Sequence, residues 1–153
     1  MKNLLIVVHC PSENTRLLRD ALVAGASQPD FTDIVVRHTE PLQTTAEDVL
    51  WANAIVLGTT ENFGYMSGAM KDFFDRIYYP CLEHTQGLPY AIAIRAGLDG
   101  TGTRLAMEKI ITGLKWREMQ APLISKGEFQ STFVDDWREL GAAVAAGLDA
   151  GIY

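Results

Sequence analysis

Cysteine is scarce in this sequence. The only two, Cys10 and Cys81, form neither a CxxC motif nor a paired Cys/His spacing. This pattern argues against a disulfide-stapled scaffold and against a zinc site built on cysteine. The three histidines, His9, His38 and His84, are scattered along the chain, so no metal site is predicted.

Long apolar runs and clusters of basic residues are also missing. No stretch approaches the ~20 uninterrupted apolar residues of a membrane span, and the apolar run at 4–8 is too short for a signal peptide. The 13 Lys and Arg residues against 19 Asp and Glu residues give a formal net charge of −6. A nucleic-acid partner is therefore not expected. With 153 residues, 48% of them hydrophobic, the chain is expected to form one cytoplasmic domain spanning residues 1–153.

Short aliphatic runs alternate with segments of helical periodicity. The runs predict buried strands at 4–8, 33–37, 54–58 and 90–94, with a weaker fifth at 119–124. Apolar residues at helical spacing predict helices at 17–25, 66–77, 107–114 and 134–148, and a capping box at 44–47 predicts a short helix through Trp51. This alternation predicts an α/β three-layer sandwich around a five-stranded parallel sheet in the order 2-1-3-4-5.

In a sheet of that order, ligands bind beyond the carboxyl ends of strands one and three, where the strand order reverses. The first loop there offers Ser12, Asn14 and Thr15 as donors beside the free N–H groups of a helix start. Such a set suits an anion such as phosphate. The same side chains could instead serve only as helix caps.

The segment Gly58–Arg76 leaves strand three and reads GTTENFGYMSGAMKDFFDR. A polar stretch ending in Phe63-Gly64-Tyr65 suits a flat ring, because backbone amides can meet its polar edge while an aromatic side chain packs near its face. Phe63 and Tyr65 could alternatively form a lid packed onto the core.

This segment resembles the ring-binding loop and following helix of the flavodoxin-like NAD(P)H:quinone oxidoreductases and FMN reductases, including the WrbA-type proteins. Their shared pattern is roughly G-T-P-x-x-F-G-x-M-x-G-x-M-K-x-F-x-D, and this sequence departs from it at Thr60, where the family usually has proline. The resemblance is dense over Gly58–Arg76 and looser elsewhere. It implies a flavodoxin-like domain that binds FMN, takes electrons from NAD(P)H, and passes them to a quinone or similar small acceptor as a homodimer or homotetramer.

The resemblance also implies which loops hold the cofactor. The phosphate would be held by Ser12, Asn14, Thr15 and Arg16, the ring by Thr59, Thr60, Glu61, Asn62, Phe63 and Gly64, and its flank by Arg95, Ala96 and Gly97. No catalytic acid or base is assigned, because the flavin itself carries out the chemistry. Arg95 could pair with charge on the reduced flavin or on a nicotinamide nucleotide. The Glu61 carboxylate would disfavour negative charge on the reduced flavin unless its side chain turns to solvent.

Two alternatives stay open. One is a flavodoxin-type electron carrier without an NAD(P)H site of its own. The other is a small phosphatase, since Cys10 and Arg16 match a Cys-x5-Arg signature in which a thiolate attacks and the arginine clamps phosphate. Leu17 stands where such phosphatases have a hydroxyl residue, and the chain has no Asp-Pro pair to act as general acid.

Overall fold

A computed structural model describes the whole chain, Met1–Tyr153. The strands are β1 (Lys2–Val8), β2 (Ile34–Thr39), β3 (Ala54–Asn62), β4 (Tyr65–Met66), β5 (Pro89–Ala96), β6 (Arg117–Glu118) and β7 (Leu123–Lys126). The helices are α1 (Glu13–Ala26), α2 (Ala46–Trp51), α3 (Gly68–Cys81), α4 (Thr101–Leu114) and α5 (Ser131–Asp149). None of these helices combines the length and apolar composition that crossing a membrane would require.

The strands form one sheet in the order β2-β1-β3-β5-β6, with β4 paired to β3 and β7 paired to β5. Every pairing is parallel except the short antiparallel hairpin of β3 and β4. The predicted α/β architecture around a parallel sheet is therefore confirmed. The prediction of five strands in the order 2-1-3-4-5 is wrong, because the sheet has seven strands.

The two additional strands have separate physical origins. The predicted strand at 119–124 is replaced by β6 and β7, which both pair with β5, at Pro89–Tyr90 and Ala93–Ala96 respectively. Between them lies Pro122, which has no N–H group to donate to a ladder. The other addition is β4, which forms because β3 runs past the end of β1 and folds back on itself.

Two helix starts differ from their predictions. Helix α2 is capped by Thr45 and Asp48 rather than by the predicted pair at 44 and 47. Thr44 is buried, and its hydroxyl donates to the Glu40 carbonyl at 2.7 Å in the 3-10 turn that precedes the helix. Met66, predicted as the first residue of the third helix, lies in β4, and α3 starts after the Ser67 cap.

The sheet divides the apolar core into two layers. In β1, Leu5 and Val7 face the layer under α3 and α4, whereas Leu4 and Ile6 face the layer under α1 and α5. Because helices cover both faces, the central strands are continuous aliphatic runs, as buried parallel strands usually are. The carboxyl ends of β1, β3 and β5 and the segments that follow them lie at one end of the sheet, here called the carboxyl edge (residues 9–12, 59–67 and 95–100).

Candidate functional site

The loop after β1 leads directly into the first turn of α1. Ser12 caps the helix: its Oγ accepts from the Thr15 backbone N–H at 3.2 Å, and the Ser12 N–H donates to Thr15 Oγ1 at 3.0 Å. Thr15 is buried, so its hydroxyl serves the cap. The predicted capping role of these residues is therefore present, whatever else the loop binds.

Donors remain free at the same helix start. The N–H groups of Glu13 and Asn14 are in the first turn and have no partner within the helix. The side chains of Asn14 and Arg16 are exposed, and the Arg16 guanidinium takes part in none of the ion pairs of the protein. Together with the positive end of the α1 dipole, these groups can hold an anion.

The β3–β4 hairpin turns at Phe63 and Gly64. Glu61 pairs with Met66 and Asn62 with Tyr65, so the turn has two central residues, with φ of 54° at Phe63 and 73° at Gly64. Positive φ at both positions is the pattern of a type I′ turn, which glycine adopts readily and phenylalanine does not. The turn leaves the Phe63 side chain fully exposed at the carboxyl edge.

Thr59 and Thr60 fix the base of this hairpin. The Thr59 side chain is buried, and its Oγ1 accepts from the Ser67 backbone N–H at 3.0 Å. Ser67 in turn caps α3 by accepting from the Met70 N–H at 3.1 Å. The Thr60 hydroxyl donates to Asn62 Oδ1 at 2.9 Å. Thr59 therefore anchors the loop with its side chain and offers a ligand only its backbone.

The Glu61 side chain does not turn to solvent. Its Oε1 accepts from the Leu98 backbone N–H at 2.9 Å and its Oε2 from the Gly100 N–H at 2.8 Å. Gly100 is the residue that caps α4, so the carboxylate lies at the positive end of that helix. Glu61 therefore joins the hairpin to the loop after β5.

Two further contacts join the same segments. The Thr103 hydroxyl donates to the Tyr65 carbonyl at 3.0 Å. Gly102 packs so closely on the turn that a Cβ atom there would overlap the Gly64 carbonyl oxygen. The hairpin and the start of α4 consequently form one joined unit at the carboxyl edge.

Arg95 lies on the α5 face of β5. One terminal nitrogen, Nη1, donates to the carbonyls of Ala96 at 2.7 Å and Ser125 at 3.2 Å, and the guanidinium carbon lies 5.1 Å from the centre of the Phe133 ring. Its other nitrogens make no hydrogen bond within the protein. Ala96 is buried, and Gly97 is exposed with open space where a side chain would be.

Four exposed apolar side chains lie on the hairpin, the loop after β5 and helix α4. We call them the apolar rim, and they are Phe63, Tyr65, Leu98 and Leu105. The four cavities of the protein lie elsewhere, so the carboxyl edge is an open surface. The largest, of about 390 Å³, is a groove between α3 and α4.

Cys10 has the wrong chemistry for a phosphatase nucleophile. Its Sγ lies 3.7 Å from the carbonyl oxygens of Val8 and Thr15, and burial raises the pKa of the thiol to about 11. A nucleophilic cysteine needs a lowered pKa. The Cys10 backbone N–H is also committed, donating to Glu40 Oε1 at 3.2 Å. The site therefore argues against the phosphatase alternative.

Comparison with known proteins identifies the family. The family model described as NADPH-dependent FMN reductase matches residues 15–134, which is most of the chain. The chain belongs to this family. The family resemblance noted from Gly58–Arg76 is thereby confirmed. The match also supports FMN as the cofactor.

One relative and several solved structures are similar to the chain. A flavodoxin of Aquifex aeolicus (strain VF5) is 28% identical over 114 residues, which cover 74% of this chain and 60% of the relative. The chain therefore spans about 60% of that relative's length. An archaeal flavodoxin has a TM-score of 0.75 at 17% identity, covering 97% of this chain and 99% of that one. A WrbA-like protein from Agrobacterium tumefaciens has a TM-score of 0.72 at 17% identity, covering 99% of both chains. These structures show the flavodoxin-like fold.

The residues present fit the chemical groups of FMN. Its phosphate needs N–H donors and a positive charge, which the start of α1 and Arg16 supply. Its flat ring needs accessible backbone groups, which the exposed residues Asn62, Gly64 and Gly97 offer at the carboxyl edge. The contacts made by Gly100, Gly102 and Thr103 were not predicted from the sequence, although the glycine spacing after Arg95 is a visible signal of close backbone packing.

Proposed function

We propose that the protein holds FMN at the carboxyl edge and passes electrons from NAD(P)H through it to a quinone or a similar small aromatic acceptor. Bound FMN supplies the chemistry, taking up a hydride and releasing one or two electrons. The chain binds and orients the reactants, as one domain spanning 1–153. We also propose that the protein is cytoplasmic, as expected from its sequence.

The proposed contacts divide between three loops. Asn14, Arg16 and the first-turn amides of α1 would hold the phosphate, with Ser12 and Thr15 keeping that turn in place. Residues 59–64 would border the ring through their backbone groups. Residues 95–97 would flank it, where the free nitrogens of Arg95 are available to an anionic group.

The observation that carries the reductase proposal is the apolar rim. An electron carrier that docks basic proteins is expected to surround its flavin with acidic side chains. Here Phe63, Tyr65, Leu98 and Leu105 are exposed and apolar. Among residues 59–65 and 95–102, the only carboxylates are Asp99, which is exposed, and Glu61, which is already bound by two backbone amides. An apolar, aromatic border favours a small flat acceptor over a charged protein surface.

The carrier remains the second candidate, because the Aquifex aeolicus relative is described as a flavodoxin. Anaerobic mixing separates the two candidates. The FMN-loaded protein is mixed with NADH or NADPH while the flavin absorbance is followed, and a quinone is then added. We expect bleaching by at least one nucleotide, faster than that of free FMN, followed by reoxidation. If neither nucleotide reduces the flavin while a separate reductase does, the protein is a carrier.

We also propose a homodimer or homotetramer. Tyr79 is 80% exposed on α3, and it borders the groove between α3 and α4 together with Phe74, Tyr78 and Ile110. Exposed aromatic surface of this kind is typical of an interface. Size-exclusion chromatography with light scattering should give a multiple of 16.9 kDa, whereas a mass of 16.9 kDa would contradict this part of the proposal.

A further inference from the structure

Residues 97–99 form a loop with few contacts of its own. Gly97, Leu98 and Asp99 are all exposed, and a Cβ atom at Gly97 would meet nothing within 4 Å. Within the loop, Asp99 Oδ1 accepts from the Thr101 N–H at 3.1 Å, which is a local turn. Glu61 is the only side chain from another segment that forms hydrogen bonds with this loop.

Glu61 binds this loop in a specific way. One carboxylate oxygen accepts from the Leu98 N–H and the other from the Gly100 N–H, so each oxygen forms its own hydrogen bond. Hydrogen bonds to a charged acceptor are roughly twice as strong as neutral ones. The start of α4 adds a favourable dipole. The carboxylate is thus well stabilised where it lies, and the loop is held by it.

We propose that Glu61 is a positioning residue that keeps the 97–100 loop at a fixed place beside the β3–β4 hairpin, and so prepares the ring side of the flavin site before FMN arrives. The effect of Glu61 on FMN binding rests on the proposed function, whereas its effect on the loop does not. A loop that is already ordered loses less conformational entropy on binding, and the affinity is correspondingly higher. In this view Glu61 acts through the loop backbone and does not itself react.

We expect the hairpin and α4 to stay connected when Glu61 is changed. The hydrogen bond from the Thr103 hydroxyl to the Tyr65 carbonyl and the packing of Gly102 on Gly64 do not involve the Glu61 side chain. Variants at Glu61 are therefore expected to fold, with the effect confined to residues 97–100. Amide exchange in residues 97–100 can therefore be measured in variants that keep the rest of the fold.

Two variants of Glu61 distinguish the effect of its side-chain length from the effect of its charge. Glu61→Gln keeps the shape but leaves one of the two N–H groups facing an amide NH2, and Glu61→Asp keeps the charge but is one methylene shorter. If the carboxylate acts by binding both amides, both variants release the loop. If only its negative charge matters, Glu61→Asp behaves as wild type. Glu83→Gln is the matched control, because the Glu83 side chain is exposed and forms neither a hydrogen bond nor an ion pair within the protein.

The first measurement is residue-resolved hydrogen–deuterium exchange by NMR on the FMN-free protein. We expect the amides of both Leu98 and Gly100 to exchange about 10-fold faster or more in Glu61→Asp, and at least one of the two to do so in Glu61→Gln. The amides of Thr15 and Ser67, which are bound elsewhere, should be unchanged. Unchanged exchange at Leu98 and Gly100 would overturn the proposal.

The second measurement is the Kd for FMN and for riboflavin by fluorescence quenching. We expect both Kd values to rise by a similar factor in both Glu61 variants and to stay unchanged in Glu83→Gln, because the loop borders the ring and not the phosphate. Tighter binding would overturn the proposal, since it would mean that Glu61 blocks amides that the flavin needs. If wild type binds no FMN, the proposed function fails, while the exchange data still decide whether Glu61 holds the loop.

Discussion

Gly102, in the first turn of α4, lies directly against the carbonyl oxygen of Gly64 at the tip of the hairpin. A side chain at position 102 has no room, so the hairpin or the helix must move. We predict that Gly102→Ala lowers the free energy of unfolding by about 1–3 kcal/mol and weakens FMN binding. Chemical denaturation and a flavin titration measure the two effects.

Gly68→Ala is the control for that change. Gly68 also lies in the first turn of a helix, but a Cβ there would meet nothing within 4 Å. It should leave both quantities nearly unchanged. Equal behaviour of the two variants would show that the contact between Gly102 and Gly64 does not hold the hairpin.

We predict that Phe63 lowers the stability of the protein and speeds turnover with a quinone. Its φ of 54° is unfavourable for phenylalanine, whereas asparagine is common at this position of a type I′ turn. Phe63→Asn should therefore raise the free energy of unfolding by up to about 1 kcal/mol, while removing an aromatic side chain from the apolar rim should slow turnover with a quinone. Phe63→Val, with a β-branched side chain, should instead destabilise. If Asn and Val have the same effect on stability, the turn is not strained as described.

Arg16 is predicted to recognise the phosphate of FMN. Arg16→Ala should raise the Kd for FMN by about 10- to 100-fold, the range expected for a lost hydrogen bond to a charged group. The Kd for riboflavin, which has no phosphate, should not change. Arg138→Ala removes the same charge from α5, next to the far end of α1, and should affect neither ligand. An equal loss of affinity for riboflavin would contradict the assignment.

Both cysteines are predicted to be unreactive thiols in the folded protein. They are free, and burial raises the pKa of each from its ordinary 9.0 to about 11. The unfolded chain therefore loses these protons at lower pH than the folded protein does, so stability falls as the pH rises from about 9 to about 11. Replacing both cysteines with alanine should reduce that fall. Iodoacetamide at pH 8 should label native protein far more slowly than denatured protein, and rapid labelling of native Cys10 would contradict this environment.

Local patterns in the sequence predicted much of the fold. Buried parallel strands are aliphatic runs, and 4–8, 54–58 and 90–94 lie within β1, β3 and β5. The loop before α1 follows β1 and the hairpin turn follows β3, and the strand order then places both at one edge of the sheet. The family resemblance of Gly58–Arg76 predicted FMN as the cofactor.

The parts that sequence reasoning missed depend on contacts between distant residues. The expectation for Glu61 allowed for a side chain in solvent, because nothing nearby in the sequence indicates that it binds Leu98 and Gly100. The number of strands was wrong for a similar reason. Whether residues 117–126 form one strand or two depends on their pairing with β5, which periodicity does not report.

The location of the FMN site is tested most directly by amide exchange over the whole chain with and without bound FMN. We expect bound FMN to add protection in residues 12–16, 59–65 and 95–102, and none in the groove between α3 and α4. Protection centred on that groove, or absent from residues 12–16, would contradict an FMN site at the carboxyl edge.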